Sequence, residues 1–145
     1  MDPEGLFQVA SRMAMAGWVA LAFSPLAPRL SQAVAGVAIP VALSIGYGAL
    51  VLSSWAGASG GFRTLGEVML LFDTPMVALA GWVHYLAFDL LVGAWEARTA
   101  RREALPHPVL LPCLALTFLF GPLGLLLFLS VRIARRTVGQ PAMEA

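Results

Sequence analysis

A long apolar run that carries its own ionisable groups constrains this chain more than any other feature. From Pro75 to Trp95 the residues are hydrophobic enough to cross a bilayer, yet His84 and Asp89 stand inside the run. Backbone that leaves water must satisfy its own N–H and C=O groups, so such a run is helical. Each ionisable group at that depth costs about 2.5–3.5 kcal/mol by insertion scales, and it is kept where a partner, a water-filled cavity or a function offsets the cost.

Three more runs reach the length of a span, about 20 mostly apolar residues. They cover residues 6–23, 30–53 and 109–131, beside 75–95. The first closes at Ser24-Pro25-Leu26-Ala27-Pro28-Arg29, whose prolines do not continue a helix. Pro40 lies near the middle of the second, and Gly121-Pro122 interrupts the fourth, so both should kink. The expectation is an all-α polytopic membrane protein: residues 1–145 as one integral membrane domain, a four-transmembrane-helix bundle with kinked helices. Composition agrees. Charged residues are 12% of the chain, against about 25% in soluble domains, and mean hydropathy is +0.82. Asp2 and Glu4 stand where a signal peptide carries positive charge, so the first run reads as a span.

A near-neutral charge balance argues against nucleic acid, which needs a basic face. Basic residues are all arginine, a bacterial hint that points to an inner membrane. The arginines on the two sides of a four-span arrangement nearly tie, so orientation is not readable. The single cysteine, Cys113, excludes an intrachain disulfide and reads as a small core residue. No Cys cluster, nucleotide loop or His-rich set is visible, so no cofactor or metal is expected.

Between the second and third runs, Ala56 to Gly61 is a flexible linker, and Phe62 to Phe72 has the makings of a short interfacial helix with Arg63 and Glu67 paired four apart. Asp73 before Thr74-Pro75 reads as an N-cap. Glu96 to Pro108 reads as a charged turn. Arg12 either snorkels outward from the first span or serves Glu67 or Asp73 as counter-ion.

On the third helix, at about 100° per residue, His84, Phe88, Leu91 and Trp95 share one stripe, and Trp82, Tyr85, Asp89, Gly93 and Glu96 another. His84 and Asp89 diverge by about 140°, which makes a direct dyad or a shared metal a poor reading. Each has two open readings: His84 as an interhelical hydrogen bond or a site residue, Asp89 as a structural pair or a proton-exchanging carboxylate. Both are expected to face the bundle and not lipid. Trp18, Trp82 and Tyr85 lie deep, and small residues of the second run (Gly36, Ala38, Ser44, Gly46, Gly48) suit either close packing or an apolar slot. Carbonyls freed at Gly121-Pro122 would be satisfied by Thr117 or a neighbour.

The string from Gly81 to Leu90 (Gly-Trp-Val-His-Tyr-Leu-Ala-Phe-Asp-Leu), then Pro106-His107, and then Leu116-Thr117-Phe118-Leu119-Phe120-Gly121-Pro122-Leu123-Gly124, resembles the ABA4-like (abscisic-acid-deficient-four) family, and Gly17-Trp18 fits it as well. The resemblance implies a small four-span membrane protein. Plant members are needed to make neoxanthin from violaxanthin, an epoxide-to-allene isomerisation. What it implies here is an integral-membrane isomerase acting on a carotenoid or apocarotenoid, with His84 and Asp89 as catalytic acid and base. Trp18, Tyr47, Trp82, Tyr85, Phe88, Thr117 and Phe118 would then contact the ligand. Two alternatives stand beside it: a carotenoid-binding subunit that partners a carotenoid-processing enzyme, and a small transporter or proton path. The implied partners are the lipid bilayer, a long apolar ligand, and a second copy of the chain or that enzyme.

Overall fold

The computed structural model describes residues 2–138, with side chains through residue 135. It is all-helical, without strands among the described residues. Helix α1 spans Pro3–Ala22. Asp2 caps it, accepting hydrogen bonds from the backbone N–H groups of Glu4 and Gly5, and Pro3 supplies the preset φ of the first turn. Its amino-terminal half carries a polar ladder: Gln8 Nε2 donates to Glu4 (3.3 Å) and Arg12 Nη2 to Gln8 (3.4 Å). Arg12 is thus held within its own helix, and Glu67 takes a different partner.

Helix α2 (Pro28–Ala33) runs through a π-helical stretch (Val34–Ala38) into α3 (Ile39–Ser54). The widened turn is where Pro40 predicts a disruption. Proline has no N–H for the carbonyl four residues back, and the bonding shifts register so that Ile39 N–H reaches Val34 O. After one 3₁₀ turn at Trp55–Gly57 comes the short α4 (Leu65–Phe72), capped by Thr64. Arg63 pairs with Glu67 as the spacing predicts: Nε lies 3.8 Å from the carboxylate, and the Arg63 backbone N–H donates to it at 3.1 Å.

Helix α5 (Pro75–Arg102) is the central element, packing against α1, α3 and α6. Its N-cap is Thr74, not Asp73, which instead closes α4. It also runs past Trp95 through Arg102, because no Gly or Pro interrupts the segment before Pro106. Glu96 therefore lies inside a helix and not in a turn. The chain leaves α5 through Ala104 at φ 52° and enters α6 (His107–Phe120) and α7 (Pro122–Val138).

Among the described residues two helical stretches, Pro28–Gly57 and Pro75–Arg102, are long and apolar enough to cross a membrane by length and composition. The first of the four expected runs forms α1, whose amino-terminal turns are polar. The fourth expected run is corrected: Gly121, at φ 35° and ψ −87°, ends α6, Pro122 starts α7, and α7 folds back along α6 so that Arg132 meets Glu103 where α6 begins, making residues 109–131 a hairpin and not a span. Two cores meet along α5, one around Leu21, Leu90, Cys113 and Phe128, the other around Ala14, Leu43, Val83 and Leu86.

Candidate functional site

The break between α6 and α7 organises the site. Pro122 has no N–H, which frees the carbonyl of Phe118, four residues back. The Tyr85 hydroxyl on α5 donates to that carbonyl at 3.1 Å, with Leu119 O at 3.5 Å. The neighbour that satisfies the broken helix is thus Tyr85, and Thr117 is committed elsewhere. One turn beyond Tyr85 on α5, the Asp89 carboxylate lies over Gly121. A Cβ at position 121 would stand 2.7 Å from Asp89 Oδ1 and 3.0 Å from Oδ2. Two constraints therefore require glycine there, the positive φ and the carboxylate pressed against it. Asp89 is half-buried, and its Oδ2 is a buried oxygen without a hydrogen-bond partner. Such groups are uncommon in native structures and call for an explanation.

Aromatic rings wall the space in front of Asp89. A cavity of about 190 Å³ is lined by Trp18, Trp82, Tyr85, Leu86, Asp89, Phe118 and Leu119. Trp18 meets Phe118 edge-on at 5.5 Å between centroids, and Trp82 lies 5.3 Å from Tyr85. Trp82 is fixed by its indole N–H, which donates to Ser11 Oγ of α1 at 3.0 Å. Gly93 admits Trp18: a Cβ there would sit 2.6 Å from the indole ring. Trp18, Trp82, Tyr85 and Phe118 thus gather around Asp89, as α1, α5 and α6 bring them together.

Two turns further along α5, Glu96 is completely buried, and so is Thr117. The Thr117 hydroxyl lies 3.0 and 3.1 Å from the two Glu96 carboxylate oxygens and donates to them. Gly124 of α7 packs directly on Thr117, so that a Cβ at 124 would overlap the Thr117 backbone nitrogen and hydroxyl. The string Phe120-Gly121-Pro122-Leu123-Gly124 now has a physical reading: one glycine lies under Asp89 and the other under Thr117. Thr117 does not line the cavity. Sequence reasoning missed Glu96 as an interior group, although its place on the stripe of Tyr85, Asp89 and Gly93 was the signal.

His84 lies elsewhere. It is exposed, stacked on Phe88 at 4.6 Å with Tyr47 at 5.5 Å, in the groove between α3 and α5. The expectation that it faces the bundle interior is corrected. Val83 and Leu86 occupy the inward positions of that turn, leaving His84 at the rim. A second cavity, about 290 Å³, is lined by His84 with Tyr47, Trp55, Phe62, Leu71 and Phe72 among others. Phe88 is 55% exposed beside it. The structure therefore brings four of the seven expected contact residues to Asp89, sets Tyr47 and Phe88 beside His84, and separates the two ionisable groups.

These features define a helical protein with an aromatic-walled carboxylate at a helix break. The family described as ABA4-like (ABA DEFICIENT 4-like) matches residues 5–128, and the chain belongs to it. No curated protein and no solved structure matches the chain.

Proposed function

We propose that the chain is an integral membrane protein that binds a carotenoid or apocarotenoid and isomerises it, with Asp89 as the proton-exchanging group. Family membership supports a carotenoid-related role. The observation that carries the reading is the Asp89 oxygen left without a partner at an aromatic cavity. Isomerisation of a polyene or its epoxide conserves the formula. A proton added at one atom and removed at another is sufficient, and one carboxyl group performs both steps. Positive charge that develops in between would lie against the faces of Trp18, Trp82, Tyr85 and Phe118. The cavity is smaller than the roughly 300–1,000 Å³ of whole-ligand pockets, so it suits one end of a long rod. His84 and Tyr47 would contact the ligand from the α3/α5 groove. The membrane is a bacterial inner membrane on the arginine-only reading.

A second reading is a pigment-binding subunit for a carotenoid-processing enzyme. It is favoured by the separation of His84 from Asp89, which keeps those two residues from acting as one acid–base pair. Expression in a carotenoid-producing host, followed by chromatography of bound and released pigment, separates the two. An isomerase changes the pigment profile. Asp89→Asn should then abolish the change while pigment still co-purifies, because Asn keeps the volume and does not exchange a proton. Bound but unchanged pigment favours the subunit, and absence of pigment refutes both.

A further inference from the structure

The opposite end of the molecule holds a cavity that the carotenoid reading does not use. It lies where α1 ends, α2 begins, α5 ends and α6 begins. About 210 Å³ in volume, it is lined by Ser24, Gln32, Arg98, Arg101 and His107, among others. Among the described residues no acidic side chain lines it. The carboxylates carried on or just after this part of α5 are engaged elsewhere, Glu96 with Thr117 and Glu103 with Arg132.

The cavity is built and not merely basic. Gln32 donates through Nε2 to the carbonyl of Ala94 at 3.0 Å, which fixes its amide. Its Oε1 then accepts from Arg98 Nη1 at 2.9 Å, which fixes the guanidinium. Gly36 lies against the same pair: a Cβ there would come within 3.2 Å of Gln32 Oε1 and 4.0 Å of Arg98 Nη1. One of five guanidinium N–H donors is used by Gln32, which leaves a planar fork oriented at the cavity. His107 is held by its Nε2–H, which donates to Ala22 O at 2.8 Å. The first turn of α6 also begins here behind Pro106, which offers no side-chain cap.

We propose that this cavity is a phosphate-class oxyanion site, with Arg98 as its fixed donor and Arg101 as a second, exposed one. A half-buried guanidinium with no carboxylate beside it is matched by an anion whose oxygens accept in a plane, and phosphate does so. The source is either free phosphate or the headgroup of an anionic phospholipid. The site stands at the arginine-rich end of the helices and does not depend on pigment chemistry.

The test uses the full chain in neutral detergent, followed by thermal unfolding through tryptophan fluorescence. Inorganic phosphate is titrated against sodium chloride at matched ionic strength. Phosphatidylglycerol is titrated separately against phosphatidylcholine in mixed micelles. A saturable rise in Tm with phosphate identifies the free ion. A rise with phosphatidylglycerol alone identifies the headgroup. In either case Arg98→Gln should raise the half-saturating concentration about tenfold, the loss of one charge-assisted bond. Arg101→Gln should raise it by less. Arg101 is exposed, so this variant keeps the packing if Arg98→Gln does not fold. No saturable rise with either probe overturns the proposal. So does an unchanged half-saturation in the folded variants. Pigment conversion measured on the same preparations reports separately on Asp89.

Discussion

Replacing Thr117 by Val removes one hydroxyl and little volume, yet it should be among the most damaging single changes in the chain. The hydroxyl donates to both oxygens of a carboxyl group that has no solvent exposure. Val leaves Glu96 buried and unpartnered, and an unsatisfied buried polar group costs about 1–3 kcal/mol, more when charged. We take about 2–3 kcal/mol, since the carboxyl group loses its donor where no solvent replaces it. For chains near 150 residues this is roughly 3 °C per kcal/mol, a fall in Tm of about 6–9 °C. Thermal unfolding in detergent measures it. The second arm is Glu96→Met combined with Thr117→Val. Removing both partners eliminates the unsatisfied group, so the double variant should recover most of the loss. If Thr117→Val melts within about 1 °C of the parent, the carboxyl group does not depend on that hydroxyl and the reasoning is wrong.

Gly124→Ala should also destabilise, by about 1–3 kcal/mol, because its Cβ overlaps Thr117; a parental Tm would show that α7 gives way freely. Gly121→Ala should cost comparable stability and displace Asp89, through both the positive φ and the carboxylate 2.7 Å away; intact pigment conversion in this variant would contradict the placement of Asp89. Trp82→Phe loses the 3.0 Å bond to Ser11, worth about 1 kcal/mol, and should lower Tm by roughly 3 °C. Single cysteines at Ser24, Ser59 and Glu103 test the membrane crossings of Pro28–Gly57 and Pro75–Arg102 with an impermeant maleimide in sealed vesicles: Ser24 and Glu103 should label from one face and Ser59 from the other. Native Cys113 is fully buried and gives little background.

What the sequence made legible followed from backbone chemistry. Proline without an N–H and glycine at a break are local facts, so Pro40 and Gly121-Pro122 could be placed without a structure. The divergence of His84 from Asp89 is also local, fixed by the helical repeat. What remained hidden depends on which neighbour arrives. Period alone puts Glu96 on the stripe of Asp89, but a run of Arg98, Arg101, Arg102 and Glu103 around it resembles a solvated turn. Only the docking of α6 and α7 shows Thr117 waiting for it. His84 misled for the converse reason. A polar residue in an apolar run suggests the interior, whereas Val83 and Leu86 fill the inward positions and leave the imidazole on a groove.

Asp89 and Glu96 stand seven residues apart on α5, two helical turns, and so face the same way. Both look onto the segment that begins at Thr117 and ends at Gly124. Their treatment differs. Glu96 is sealed and receives a donor to both oxygens, with a glycine beneath that donor. Asp89 receives a glycine, aromatic walls and a cavity, but no donor for Oδ2. A carboxyl group kept only for packing would be expected to have its partner supplied by the protein, as Glu96 has. The neighbouring hydroxyl of Tyr85 donates to the broken helix and is shared with the Asp89 carboxylate beside it. The chain thus holds together the wall opposite Asp89 while giving Oδ2 no dedicated donor, the arrangement expected of a group whose partner comes from the ligand.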